Sequence, residues 1–430
     1  MSSTSVISPQ SRKWKARYTI LTFTWLAWLM SFLDRMLMSV SLPYIGEEFH
    51  LDKATQGWII SAFFISYASF QIPGGFLADK FGPRKVMFIA IVWWSIFTSL
   101  TGLVFNIGIL PAFGVMLVVR FLFGIGEGSF PASSWKCIST YFPIKERGRA
   151  TAIQSTVNTL GPAVATLVTA AIISLLGWRW VFILLGIPGI LVAFGIRYYC
   201  RDNYRDCPII TPEEIKELEE DEKQQSVLTN EKETIKSVPF TQVLKRVELW
   251  QLALIWFLFD ITFWGFTTWL PSYLKDVREL TLGQIGIWGS VPYLFGALGT
   301  VLGGYVSDKF LAARNFFYMA GSIIAALFLY FMFKAEGLTF TIIFQCIASL
   351  FMFFAMGIFW GTLMHTISAD IMGTASGIVN FGGQLAGVVA APVMGYLVDS
   401  SGGQYDNAFW FIIVSLAASA VIILTVKAKR

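Results

Sequence analysis

Long apolar stretches recur along this 430-residue chain, each closed by a short polar or charged break. About twenty apolar residues in a helix, rising about 1.5 Å each, cross the hydrocarbon of a bilayer. Twelve such stretches are legible, near 18–43, 57–78, 86–106, 109–134, 149–175, 178–199, 250–274, 285–307, 315–334, 338–365, 372–398 and 407–426. The pattern predicts an all-α integral membrane protein of twelve transmembrane helices. A polar segment at 200–248 interrupts the series after the sixth stretch. The predicted organisation is a tail at 1–17, a six-helix bundle at 18–199, a linker at 200–248, a second six-helix bundle at 249–426 and a tail at 427–430. Within the linker, Thr211-Pro212-Glu213-Glu214 has the form of a capped helix start, and the acidic run behind it predicts a solvated helix.

Composition excludes a soluble fold. Charged residues make up 14% of the chain, against about 25% in soluble domains, and the mean hydropathy is +0.64. Phe (39) and Trp (16) are abundant, as lipid-facing and interfacial positions require. The formal charge of +5 is gathered at span ends: Arg12, Lys13, Lys15 and Arg17; Lys80, Arg84 and Lys85; Lys145, Arg147 and Arg149; Lys309 and Arg314; Lys427, Lys429 and Arg430. With twelve spans all of these fall on one side. Positive charge marks the cytoplasm, so both termini are expected there, in a cell membrane of the bacterial inner-membrane type. Charge distributed in this way orients spans and does not build a nucleic-acid face. The first stretch is too long for a cleaved signal and carries Asp34-Arg35 inside it. The four cysteines, Cys137, Cys200, Cys207 and Cys346, lack metal-ligand spacing and are read as reduced thiols. No HExxH motif, nucleophile elbow or phosphate-binding loop is present, so neither an enzyme nor an ATP-driven pump is expected, and no metal or cofactor.

A repeat sits at matched places in the two halves. Gly75-Phe-Leu-Ala-Asp79-Lys80 follows the second span, with Arg84 just beyond; Gly304-Tyr-Val-Ser-Asp308-Lys309 follows the eighth, with Arg314 beyond. Glycine lets helices approach closely, and the Asp can accept from a helix end or a basic side chain. Asp79, Arg84, Asp308 and Arg314 are therefore candidate gating residues. Repeated halves around a midplane site are a transporter architecture.

The stretch from Gly75 to Lys85 resembles the signature loop of the major facilitator superfamily. The chain is most similar to its anion:cation symporter family, which carries sugar acids and other organic anions. Leu33-Asp34-Arg35, the run from Arg120 to Gly128, Phe142 to Gly148, and Trp269-Leu-Pro-x-Tyr273 carry the resemblance. It covers nearly the whole chain and implies two six-helix halves acting as a monomer.

Charges inside spans are costly and so are functional candidates. Here they are Asp34, Arg35, Arg120, Glu127 and Asp260. Asp34 and Arg120 each lie about ten residues below the outer end of their spans, at one depth. Glu127 lies about two turns nearer the cytoplasm, on the Arg120 face of the same helix. A carboxyl in low dielectric keeps its proton until a cation draws near. Asp34 and Glu127 are the expected proton carriers, with Arg120 as their switchable partner; a static ion-pair network is the competing reading. The resemblance places such acids at these positions. Arg35 follows Asp34 and points about 100° away. It is read as the substrate's anion ligand, its planar fork matching a carboxylate, or else as the ion-pair partner of Asp34. Asp260 has no motif to assign it.

Tyr67, Asn158 and Asn380 fall at similar depths, with the two amides in counterpart spans, where each offers a donor and an acceptor to a hydroxylated substrate. Trp360 is available to stack on it. The resemblance puts Tyr67, Asn158, Trp360 and Asn380 on substrate-lining positions, with Phe32 where a Tyr would add a hydroxyl. Helix packing is the alternative for each. Gln71 and Gln384 are weaker candidates, and His50 and His365 are read as surface residues. The expected function is proton-coupled import of a small organic anion, a hexonate, hexarate or hexuronate, by alternating access. An aromatic-acid or dicarboxylate carrier and a sodium-coupled carrier or exchanger are the alternatives.

Overall fold

The computed structural model of the chain describes residues 14–105, 111–232, 243–367 and 371–426. Arg12, Lys13, Lys427, Lys429 and Arg430 of the basic clusters lie outside the described residues, as does part of the linker. Among the described residues every regular element is a helix. The first half holds α1 (Ala16–Phe49), α2 (Lys53–Phe81), α3 (Pro83–Thr101), α4 (Ala112–Tyr141), α5 (Ile144–Ser155), α6 (Val157–Leu176) and α7 (Trp178–Tyr199). The linker holds α8 (Pro212–Lys232). The second half holds α9 (Val247–Asp276), α10 (Leu282–Lys309), α11 (Arg314–Lys334), α12 (Leu338–Thr366), α13 (Met372–Ser400) and α14 (Asp406–Ile422). Apart from α8, these make twelve crossings long and apolar enough for a membrane, α5 and α6 together forming the fifth.

The fifth crossing is broken where an unbroken helix is expected. Thr156 ends α5 and starts α6. Six residues on, Pro162 has no N–H to return to the carbonyl of Asn158, so the ladder is interrupted a second time. At the other end of α6, Gly177 turns the chain into α7 with φ at 86°, a conformation that costs glycine nothing.

The halves repeat one packing plan. In the first, α2 lies on α4, α3 on α4 and α7, and α1 on α6 and α7. In the second, α10 lies on α12, α11 on α12 and α14, and α9 on α13 and α14. Lipid offers no hydrophobic drive between helices, so they associate by close packing over small residues. A Cβ on Gly128 of α4 would stand 2.5 Å from the carbonyl of Tyr67 on α2. That approach is open to glycine alone.

Between the halves, α2 packs on α13, α6 on α10 and α1 on α9. The ion pairs across this seam gather at the end opposite the linker. Asp399 of α13 accepts from the backbone N–H groups of Lys53 (3.1 Å) and Ala54 (2.7 Å), capping α2 from the other half while Asp52 caps it from its own. A carboxylate here also meets the positive end of the helix dipole. Lys53 pairs with Asp276 and Lys275 with Glu47, each at 2.5 Å. Exposed ion pairs contribute at most about 1 kcal/mol each. Closure at this end therefore rests on backbone packing: a Cβ on Gly57 would come within 2.5 Å of Ala391 O and 2.6 Å of Pro392 Cα.

The linker helix is fastened to the first half. Thr211 and Glu214 form the expected capping box, the Glu214 N–H donating to Thr211 Oγ1 at 3.3 Å and the Thr211 N–H to Glu214 Oε2 at 3.4 Å. The Glu214 carboxylate also accepts from the N–H of Ala16 at 3.1 Å. Arg17, 2% exposed, bonds to Glu217 and to Glu146 of α5, and Lys15 pairs with Glu217 at 3.0 Å. The acidic run is thus docked as well as solvated.

Gly57→Val is expected to open the end opposite the linker, since the clash is with backbone and no rotamer relieves it. Spin labels at His50 and Gln404 should then show a longer and broader distance distribution than in the parent protein.

Candidate functional site

The site begins with spacing on α1. Ser31 and Arg35 are four residues apart, so they share a face, and that face meets α4 at Glu127. Glu127 Oε1 accepts from Arg35 Nε at 2.7 Å and from Ser31 Oγ. Glu127 is 1% exposed, so only these partners offset the loss of water around its charge. Close approach at Gly128 brings α2 against α4, which sets the Tyr67 ring 4.5 Å from the Arg35 guanidinium. Phe32, Phe63 and, from the other half, Trp264 also face it, at 5.2, 5.4 and 5.8 Å. Arg35 Nη2 and Glu127 Oε2 have no partner among the described residues.

Asp34 looks the other way. It is buried and in no ion pair among the described residues, with the Thr98 hydroxyl as its hydrogen-bonding neighbour and Arg120 near it inside the first half. Arg120 lies between Phe123 (5.0 Å) and Phe182 (5.5 Å), and its Nε and Nη2 are unpartnered. In this conformation Arg35 is the cation bonded to Glu127, and Arg120 is the one held free of an ion pair. Both arginines line a cavity between the halves, with Phe63 and Phe64 on one side and Trp264 and Thr268 on the other. Two guanidiniums with free N–H groups in an aromatic cavity can take a planar anion.

The remaining candidates lie nearer the linker end. Asn380 donates to Gln71 across the seam at 3.4 Å. Trp360 stands edge-on to Trp256 at 5.2 Å and is partly buried. Asn158, at the break between α5 and α6, is partly buried, and Pro162 leaves its carbonyl free of a helix bond. Asp260 sits at the middle of α9, 4% exposed, with no ion pair or hydrogen bond among the described residues.

Three of the four gating candidates bond within their own halves. Asp79 pairs with Lys136 at 2.7 Å. Arg84 gives its backbone N–H to Asp202 and its Nε to the carbonyl of Arg197. Arg314 is buried and caps α10 through the carbonyl of Ser307 at 2.6 Å, with Asp308 exposed beside it. The polar lock between the halves is at the opposite end. The residues that sequence reasoning left out are Ser31, Phe63 and Trp264. Ser31 was within reach, one helical turn before Arg35; the two aromatics carry no signal, being apolar residues in apolar spans.

Comparison with known proteins gives the family and the fold. The sequence model of the Major Facilitator Superfamily matches residues 24–391. A probable sulfoacetate transporter of Cupriavidus necator is 30% identical over 92% of this chain and 90% of its own length. The hexuronate transporter of Bacillus subtilis is 26% identical, covering 92% and 91%. A probable L-galactonate transporter of Escherichia coli is 27% identical, covering 92% and 86%. The crystal structure of a bacterial homologue of the human lysosomal transporter Spinster, inward-facing and occupied, superposes with a TM-score of 0.74 at 21% identity over 95% of each chain, a likeness of fold.

Removing one partner of a buried ion pair strands the other. Arg35→Ala should lower stability by about 3 kcal/mol, and Arg35→Ala with Glu127→Ala should recover part of that loss. Thermal unfolding of the four-member cycle in detergent checks it.

Proposed function

This chain belongs to the Major Facilitator Superfamily, and on that footing we propose that it imports a small organic anion together with protons by alternating access. A sugar acid, whether hexonate, hexarate or hexuronate, is the leading substrate class. The observation that carries the reading is the buried Arg35–Glu127 pair at the wall of the central cavity, with guanidinium N–H groups of Arg35 and Arg120 left for a ligand. Relatives named for sulfoacetate, hexuronate and L-galactonate support an anionic substrate.

The cycle follows from the charges. A substrate carboxylate that reaches Arg35 competes with Glu127 for the same cation. Glu127, once released, cannot stay charged in that surrounding and takes a proton. Asp34 and Arg120 repeat the exchange one layer deeper in the first half. Substrate arrival and proton uptake are thereby linked without direct contact between them. Arg35 is flanked by Trp264 from the second half, so occupancy is felt at the seam. Tyr67, Asn158, Trp360 and Asn380 line the route to the anion site. The basic clusters at the linker end support a cytoplasmic placing of that end in a bacterial inner membrane, with the protein acting as a monomer. Under that placing α2 against α13 is the outer closure, and Asp79, Arg84, Asp308 and Arg314 would form the gate on the opposite side when the halves rock back.

Purified protein in liposomes should accumulate a sugar acid under an inward proton gradient, and a protonophore should abolish the accumulation. Glu127→Gln should lose gradient-driven accumulation, tenfold or more, while keeping substrate binding and exchange. Accumulation unchanged in that variant, or uptake indifferent to the gradient, would sink the coupling assignment and leave a facilitator, an exchanger or a sodium-coupled carrier.

A further inference from the structure

The central cavity carries its two arginines at different depths. Arg120 precedes Glu127 on α4 by seven residues, ~10 Å along the helix axis toward the end opposite the linker. Arg35 is bonded at the Glu127 level, so Arg120 stands beyond it, toward the closed end. Neighbouring rings space the two cations. Arg35 lies 5.4 Å from the Phe63 ring, Arg120 lies 5.0 Å from the Phe123 ring, and those rings are 5.4 Å apart. The cavity runs the same way. Ser39, one turn beyond Arg35 on α1, and Thr268, one turn beyond Trp264 on α9, line it together with both arginines. The rest of the lining is aromatic or aliphatic, and no acidic residue belongs to it. Arg120 is 2% exposed and in no ion pair among the described residues, with Nε and Nη2 unpartnered. A guanidinium keeps its charge at any working pH, and a buried one without a partner is costly. A ligand with a single acid group satisfies Arg35 and leaves Arg120 as it was.

Resting on the reading of this protein as an organic-anion carrier, we propose that the site takes an organic dianion lengthwise, one acid group on Arg35 and the other on Arg120. The second acid group then does to Asp34 what the first does to Glu127: it draws on the cation that stands near the protein's own carboxyl. The charges close on this arrangement. Asp34, Arg35, Arg120 and Glu127 cancel formally in the empty site, and two incoming acid groups leave it neutral again once both carboxyls hold protons. Hydroxyls along a ligand's chain meet only Ser39 and Thr268 in this stretch of the lining, so the pair of acid groups decides recognition. Of the sugar acids, hexarates are favoured over hexonates and hexuronates, and plain dicarboxylates share the site.

Binding to the purified protein, by titration calorimetry and ligand-induced thermal stabilisation, tests this. Glucarate is compared with gluconate, galactarate with galactonate, and malonate, succinate, glutarate and adipate with one another. The parent should bind each hexarate about tenfold or more tighter than its hexonate, the worth of one charge-assisted contact. Across the dicarboxylates affinity should peak at one chain length, because two fixed cations select one separation. In Arg120→Gln the hexarate preference should disappear and the peak should flatten; Arg120→Lys, which keeps the charge, should retain the preference. The ratio is read within each variant, so a loss of fold, which removes binding of both members, is distinct from a loss of selectivity. Equal affinity for both members in the parent, a flat length series, or an unchanged ratio in Arg120→Gln overturns the proposal, and hexonate binding then leaves the anion-carrier reading standing. Should no member of either set bind, the two readings fall together.

Discussion

A charge that leaves water for the middle of a bilayer must find its compensation in protein, and this requirement organises the molecule. Glu127 is compensated by Arg35 and Ser31, three side chains from two helices that must cross at one depth and one rotation. The crossing is held by the glycines of α4, which admit α2 close enough for Tyr67 to flank the guanidinium. The compensation is incomplete. One oxygen of Glu127, one nitrogen of Arg35 and two nitrogens of Arg120 have no partner among the described residues. An unpaired polar group in low dielectric is costly, and here the cost is borne beside a cavity.

A second constraint is visible where the two halves meet. At the end away from the linker they meet through backbone, Gly57 against Ala391 and Pro392, and through Asp399 seated on the N-terminus of α2. Neither contact depends on long flexible side chains. At the linker end the repeat residues Asp79 and Arg314 are occupied inside their own halves. The closure away from the linker is thus engaged, and under the proposed cycle the repeat residues would serve the other.

The crossings were legible in sequence because each needs only length and apolarity. The break in the fifth at Thr156 was not read as one, and the residue in that span with an evident backbone effect, Pro162, lies six positions beyond it. The buried charges were also legible, as polar letters in apolar spans. Their pairing was not. Spacing along α4 puts Arg120 and Glu127 on one face, which suggested that Arg120 serves both acids; the structure bonds Glu127 to Arg35 on another helix. Pairing depends on the rotation of one helix against its neighbour, and that is fixed by small-residue contacts such as Gly128 on Tyr67 that leave no trace in hydropathy. Docking of the acidic helix was hidden for a related reason. Its partners Lys15 and Arg17 lie about two hundred residues earlier, where they read as orientation signals.

That docking bears on how the halves can move. With α8 fastened to α1 and α5, the first part of the linker belongs mechanically to the first half. α8 therefore travels with the first half in any displacement of one half against the other, and the covalent link to the second half runs from Lys232 to Val247. The orientation of the halves is set where they touch, along α2 against α13, α6 against α10 and α1 against α9.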